Sequence, residues 1–159
     1  MSGAAPGDDG PQYWERLWPA PWVWASALVL GVMFALVLVP LTPVTVVVAG
    51  GVLVSAALGA GLVATTPGVG VRDGRLFAGR AQIDVRHLGT ITELDAAGIR
   101  HEHGPGLDLR AYLCVRSWIP SGLRIELTDP QDPAPYWLIS TRRPHRLAAA
   151  LTAARRAAA

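Results

Sequence analysis

The side chains able to do chemistry in this 159-residue chain are few and lie mostly in its second half. His101-Glu102-His103 comes first. On an extended strand, histidines at i and i+2 share a face and offer two imidazole nitrogens to a divalent metal, with a third ligand to come from elsewhere. The spacing differs from the helical His-Glu-x-x-His of a metalloprotease, and Gly104-Pro105-Gly106 follows as a solvated turn, so no metal site is expected. The single cysteine, Cys114, falls in the apolar run Tyr112 to Val115 and reads as a buried structural thiol. Asp108 and Arg110 flank Leu109 and are spaced for a local ion pair. With no lysine in the chain there is no phosphate loop, and no dinucleotide fingerprint, nucleophile elbow or zinc knuckle is present. No catalytic residue and no cofactor is therefore assigned, and a non-enzyme is favoured. The competing reading is an enzyme that uses Asp108, Asp129, Asp132 or the histidines on a lipid-linked substrate.

The segment from Asp129 to Arg143 is the other candidate. Asp129-Pro130-Gln131-Asp132-Pro133 has turn chemistry, since aspartate bonds nearby backbone N–H groups and proline presets φ. Tyr136 and Trp137 are expected to alternate across a strand, one inward and one outward, with Arg142 and Arg143 at its end. Asp129, Asp132, Tyr136, Trp137, Arg142 and Arg143 form a candidate interaction surface for a phosphate, a headgroup or an acidic peptide. The plainer reading is a turn, a core aromatic and solvated arginines.

The element that must carry these groups announces itself by absence. From residue 17 to residue 71 there is no Asp, Glu, Lys, Arg or His, a run of 55 residues. Exposed faces of a soluble domain need polar groups, so this run excludes an ordinary soluble fold. About 20 apolar residues span a hydrocarbon core of roughly 30 Å. Residues 22–39 and 44–64 supply two such spans, and Pro40-Leu41-Thr42-Pro43 breaks the helix between them. The expectation is a two-helix transmembrane hairpin within 17–66. A signal peptide is excluded by the acidic N-terminal region and by the length of the apolar run. Arg16 precedes the first span and Arg72, Arg75 and Arg80 follow the second, which places both termini in the cytoplasm of a multi-pass cell-membrane protein. Trp14, Trp18, Trp22 and Trp24 crowd the entry to the first span as an interfacial anchor.

Small residues recur every four positions in each span: Ala27, Gly31 and Ala35 in the first, Gly51, Ser55 and Gly59 in the second. Such stripes let backbones approach closely in lipid. They serve either to pack the two helices together or to join a second copy or a membrane-protein partner. No ionisable group lies in either span, which argues against a proton or ion pathway.

The remainder, 67–159, reads as short strands separated by turn signals. Strands are expected at 69–72 and 75–77 around Asp73-Gly74, then at 82–85, 90–94, 111–118, 123–127 and 136–140, with 111–118 and 123–127 forming a hairpin. Pro144 to Ala158 is a helix with Leu147 and Leu151 on one face. Six or seven strands closed by a C-terminal helix outline a PH-like barrel, so the fold class is a membrane α-helical hairpin followed by a mainly-β domain with a C-terminal helix. Residues 1–16 are read as an N-terminal cytoplasmic segment. From residue 72 onward 13 arginines face 9 acids, a surplus of +4. That surplus suits anionic headgroups of the bilayer better than nucleic acid, for which no aromatic-basic motif appears.

Three stretches carry a resemblance: Tyr13-Trp14-Glu15-Arg16-Leu17-Trp18-Pro19, Asp73-Gly74-Arg75-Leu76, and the long run from Asp129 to Pro144. In them the chain resembles the DUF3093 family of actinobacterial membrane proteins. The resemblance implies a membrane protein and supplies no activity, ligand or catalytic residue.

Overall fold

A computed structural model of the protein describes residues 13–129 and 131–158. The chain divides into two units, one comprising Trp18–Thr66 and the other formed by the flanking segments, through Leu17 and from Pro67 onward.

The first unit is a helical hairpin. Helix α1 spans Pro21–Leu38 and helix α2 spans Val44–Ala64. Pro21 opens α1 at a position where the missing N–H costs nothing, and Pro43 precedes the first residue of α2. Between them the chain turns tightly, with the backbone N–H and the hydroxyl of Thr42 both donating to the Leu38 carbonyl. Both helices are long and apolar enough to cross a membrane, with mean hydropathies of 2.1 and 2.3. Only 11% and 17% of those spans are buried, so these are not core helices wrapped by protein. What is buried is the small-residue seam, Ala27 and Gly31 of α1 with Val47 and Gly51 of α2.

The second unit contains eight strands among its described residues. Strand β1 (Tyr13–Arg16) lies before the hairpin and pairs antiparallel with β2 (Gly68–Arg72) after it, Tyr13 opposite Val71 and Arg16 opposite Gly68. The Leu17 N–H extends the ladder to the Pro67 carbonyl. β2 turns into β3 (Arg75–Ala78) through Asp73 and Gly74, both at positive φ (50° and 68°), the backbone that an Asp-Gly pair accepts at least cost. β4 (Ala81–Asp84) completes a four-stranded sheet of order β1-β2-β3-β4. The second sheet has the order β5-β7-β8-β6, built from β5 (Leu88–Leu94), β6 (Tyr112–Cys114), β7 (Gly122–Leu127) and β8 (Tyr136–Ser140). Helix α3 (Ala96–Glu102) follows β5, and α4 (Pro144–Ala157) ends the described chain.

One core holds this unit together. Val69, Val71, Leu76 and Ala78 from the first sheet meet Leu123, Ile125, Trp137 and Ile139 from the second, and α4 contributes Leu147, Leu151 and Ala154 at helical spacing. A smaller cluster of Ile99, Tyr136 and Leu138 fills the space under α3.

Three expectations are corrected. The strands form two four-stranded sheets rather than one closed barrel among the described residues. Residues 111–118 and 123–127 do not form a hairpin: β6 is only three residues long and runs parallel to β8, while β7 pairs with β5 and β8. His101 stands on a short helix rather than a strand. Asp95 caps that helix by accepting from the N–H groups of Ala97 and Gly98 (3.1 and 2.8 Å).

Candidate functional site

Segment 129–143 separates into parts with different fates. Both aspartates close on their own backbone: Asp129 accepts from the Gln131 N–H and Asp132 from the Ala134 N–H, each at 2.9 Å. These are side-chain turns, as the Asp-Pro pattern suggests. Tyr136 and Trp137 are both buried, at 4% and 3% exposure, so neither presents a recognition surface. The alternation is real, but β8 is interior to its sheet and covered on both faces. Trp137 enters the main core against Tyr112 (ring centroids 4.7 Å apart), while Tyr136 joins the cluster under α3. The Tyr136 hydroxyl accepts from the Asp108 N–H (3.0 Å) and donates to the Gly106 carbonyl. The Arg124 guanidinium lies 4.3 Å from the Tyr136 ring centroid and pairs with Glu126 (2.7 Å) and Glu102 (3.4 Å). Of the six candidate residues, Arg142 and Arg143 alone have exposed side chains among the described contacts.

Arg142 leads to a group that sequence reasoning did not single out. Glu15 of β1 has its side chain 13% exposed. It accepts hydrogen bonds from the Thr141 hydroxyl (2.6 Å), the Tyr13 hydroxyl (2.8 Å) and the Arg142 backbone N–H (3.2 Å), and the Arg142 guanidinium approaches to 3.9 Å. Thr141 is itself fully buried, and its oxygen also accepts from the Arg143 N–H where α4 begins. Burial is the main cause that raises the Tyr13 hydroxyl above its ordinary pKa, and the Glu15 carboxylate beside it adds to the effect. The junction thus ties the N-terminal strand to the β8–α4 corner. The signal available in the sequence was that Glu15 lies in one resemblance-bearing stretch and Thr141 in another. Nothing in either stretch says they touch.

Removing this carboxylate leaves the buried Thr141 hydroxyl without its acceptor. Glu15→Ala is expected to cost about 1–3 kcal/mol of stability. Glu15→Gln keeps an acceptor oxygen and should lose less. Thermal melting of the detergent-solubilised protein checks the order, and equal melting of wild type and Glu15→Ala would remove Glu15 from the stabilising network.

The other chemical groups are occupied locally or stand apart. Asp108 and Arg110 form the bidentate pair their spacing suggested, at 2.9 and 3.2 Å, and the Arg110 hydrogen bond lowers the Asp108 pKa. His101 and His103 flank Glu102 at the end of α3, where positions i and i+2 point to different sides. No group of three metal-ligating side chains occurs among the described residues. Cys114 is buried, and burial raises its thiol pKa. Trp14 lies half-exposed on the first sheet, its ring over Gly68 and Gly70, where a Cβ would come within 2.4 and 2.5 Å of the indole. These glycines make the seat for the ring.

In the hairpin the small-residue stripes face each other. A Cβ on Gly31 would lie 1.9 Å from the Ser55 hydroxyl and 2.7 Å from the Gly51 carbonyl oxygen. A Cβ on Gly51 would lie 3.0 Å from that of Ala35, and one on Gly59 3.1 Å from the Trp24 ring. Gly31, Gly51 and Ser55 thus stand at the closest approach of the two helices, with Ala35 and Gly59 in contact beside them and Ala27 buried.

Comparison with known proteins adds a family and no activity. No curated protein and no solved structure matches the chain. A family model described as a protein of unknown function does match, over residues 12–151, a range that takes in the hairpin, the Glu15 junction and most of α4. The chain belongs to the DUF3093 family.

Proposed function

We propose that this protein is a membrane-anchored, non-enzymatic interaction module, its hairpin embedded in the cell membrane and its sheet unit displayed on the cytoplasmic side. The observation that carries the reading is the pair of apolar helices, 18 and 21 residues long, with so little of their surface covered by protein. Lipid is the solvent that suits such surfaces, because an α-helix satisfies the backbone hydrogen bonds of its interior within itself. The arginines at 72, 75 and 80 support the cytoplasmic placement of the sheet unit. Arg142 and Arg143, exposed beside the Glu15 junction, are the part of segment 129–143 offered to a partner. A PH-like reading of the sheet unit rests on strand number and the C-terminal helix alone, and it lends no ligand. An enzyme built on Asp108, Asp129 or Asp132 is disfavoured because each carboxylate is held in a local ion pair or turn.

Orientation has a direct readout. The natural cysteine is buried with a raised thiol pKa, so it stays silent toward maleimide. Leu109 is 93% exposed on a loop of the sheet unit, and Leu109→Cys introduces a reporter there. The protein should remain in the membrane pellet after alkaline carbonate extraction. The reporter should react with a membrane-impermeant maleimide only after the cells are permeabilised. Release by carbonate would end the membrane reading, and labelling of intact cells would invert the orientation.

A further inference from the structure

An open cleft of about 480 Å³ lies in the sheet unit where the last turns of α4 meet the 3-10 turn 85–87 that follows β4. Its described lining is Arg86, Thr152, Arg155, Arg156 and Ala158, three guanidinium groups and no carboxylate. Arg155 and Arg156 alone have an ordinary explanation, since cations at a helix C-terminus complement the exposed carbonyls. Arg86 does not share it, because it comes from a different element nearly 70 residues earlier in the chain.

Two of the three side chains make a contact within the unit. The Asp84 carboxylate caps the turn by accepting from the Arg86 N–H (2.9 Å) and lies 3.5 Å from its Nε. Arg155 donates from one Nη to the Gly89 carbonyl at 3.1 Å. Each anchor engages only part of a guanidinium with five N–H donors, so most donors remain for a ligand. Asp84 offsets one of three positive charges. Arginine forks match the oxygens of a tetrahedral oxyanion.

We propose that this cleft binds a phosphate group through Arg86, Arg155 and Arg156. The same chemistry is offered by a free phosphate or pyrophosphate and by the phosphomonoester headgroup of a lipid. The cleft is formed wholly within the sheet unit, so its occupancy is separable from membrane insertion.

The test uses the full chain in a zwitterionic detergent at about 0.1 M salt, where unit charges farther apart than roughly 10 Å are largely screened. Inorganic pyrophosphate is titrated calorimetrically, and retention of dioleoyl phosphatidate is counted by native mass spectrometry. Arg86→Gln should weaken binding about tenfold, the equivalent of one charge-assisted contact, and the triple Arg86→Gln, Arg155→Gln, Arg156→Gln variant should abolish it. Arg100→Gln and Arg146→Gln, exposed arginines elsewhere on the unit, remove charge without touching the cleft and should bind as wild type does. Arg86→Gln leaves α4 unaltered, so its result stands even if the triple variant folds poorly. Pyrophosphate binding without phosphatidate retention would identify a soluble phosphate ligand, and retention of phosphatidate that depends on Arg86 would identify a headgroup. Failure of wild type to bind either probe, or equal weakening in the Arg100 and Arg146 controls, would overturn the site.

Discussion

Trp137→Ala is expected to unfold the sheet unit, whereas Arg143→Ala, six residues away, should leave it intact. Trp137 is 3% exposed and stands in the main core between Tyr112 on β6 and Ile125 on β7. It also lies on the strand that joins the two halves of the second sheet. Truncating a buried tryptophan costs about 3–5 kcal/mol, the transfer term plus the cavity it leaves. A domain with a total stability of roughly 5–15 kcal/mol has little margin after such a loss. The melting temperature of the sheet unit should fall by on the order of 15 °C or more. The exposed Arg143 side chain should change stability by less than about 0.5 kcal/mol when removed. Near-ultraviolet circular dichroism during thermal unfolding separates the two. A Trp137→Ala protein that melts with wild type would show that the core does not depend on β8. The same contrast bears on partner binding: loss of a partner in a variant carrying Tyr136→Ala would report unfolding, while loss on substituting Arg142 and Arg143 alone would report a surface.

The second large effect lies in the hairpin. Gly31→Leu should drive α1 and α2 apart, because the new Cβ meets the Gly51 carbonyl oxygen at 2.7 Å as well as the Ser55 hydroxyl at 1.9 Å. The hydroxyl belongs to a side chain that can rotate away, although it then gives up its 2.9 Å bond to that same Gly51 carbonyl. The carbonyl is backbone and moves only with the helix. Overpacking of a close seam costs about 1–3 kcal/mol, and leucine adds bulk beyond the Cβ. Gly61→Leu is the size-matched control, since a Cβ there meets nothing within 4 Å. In detergent the Gly31 variant should lose its helical signal at a lower temperature than the Gly61 variant. Coincident melting curves would mean that the stripe is not the contact between the helices.

These two sites show where sequence reading is strong and where it stops. The hairpin was legible because its physics is local. A long uncharged run with two prolines in its middle has one economical solution, and the observed helices lie within a residue of the expected boundaries. The Asp73-Gly74 turn was legible for the same reason, since positive φ at two successive positions is a demand on residue type. The C-terminal helix followed from Leu147 and Leu151 with Pro144 at its start. Strand β1 was not legible. Four residues have no stability as a strand until β2 supplies the ladder from beyond the hairpin.

The same limit governs the site. Residue type and spacing determined that the aspartates of 129–133 make turns, that Asp108 would find Arg110, and that each span would carry small residues on one face. Period two along 136–140 determined which side chains share a face, but not that both faces would be covered. That depends on α3 lying over one side and the first sheet and α4 over the other. Whether the stripes meet each other or another chain, whether Glu15 reaches Thr141, and whether Arg86 joins Arg155 and Arg156 are likewise facts of tertiary structure. Each is a contact between residues distant in the chain. Local preferences and charge patterns act over a few residues, and only the packing of whole elements decides which distant side chains become neighbours.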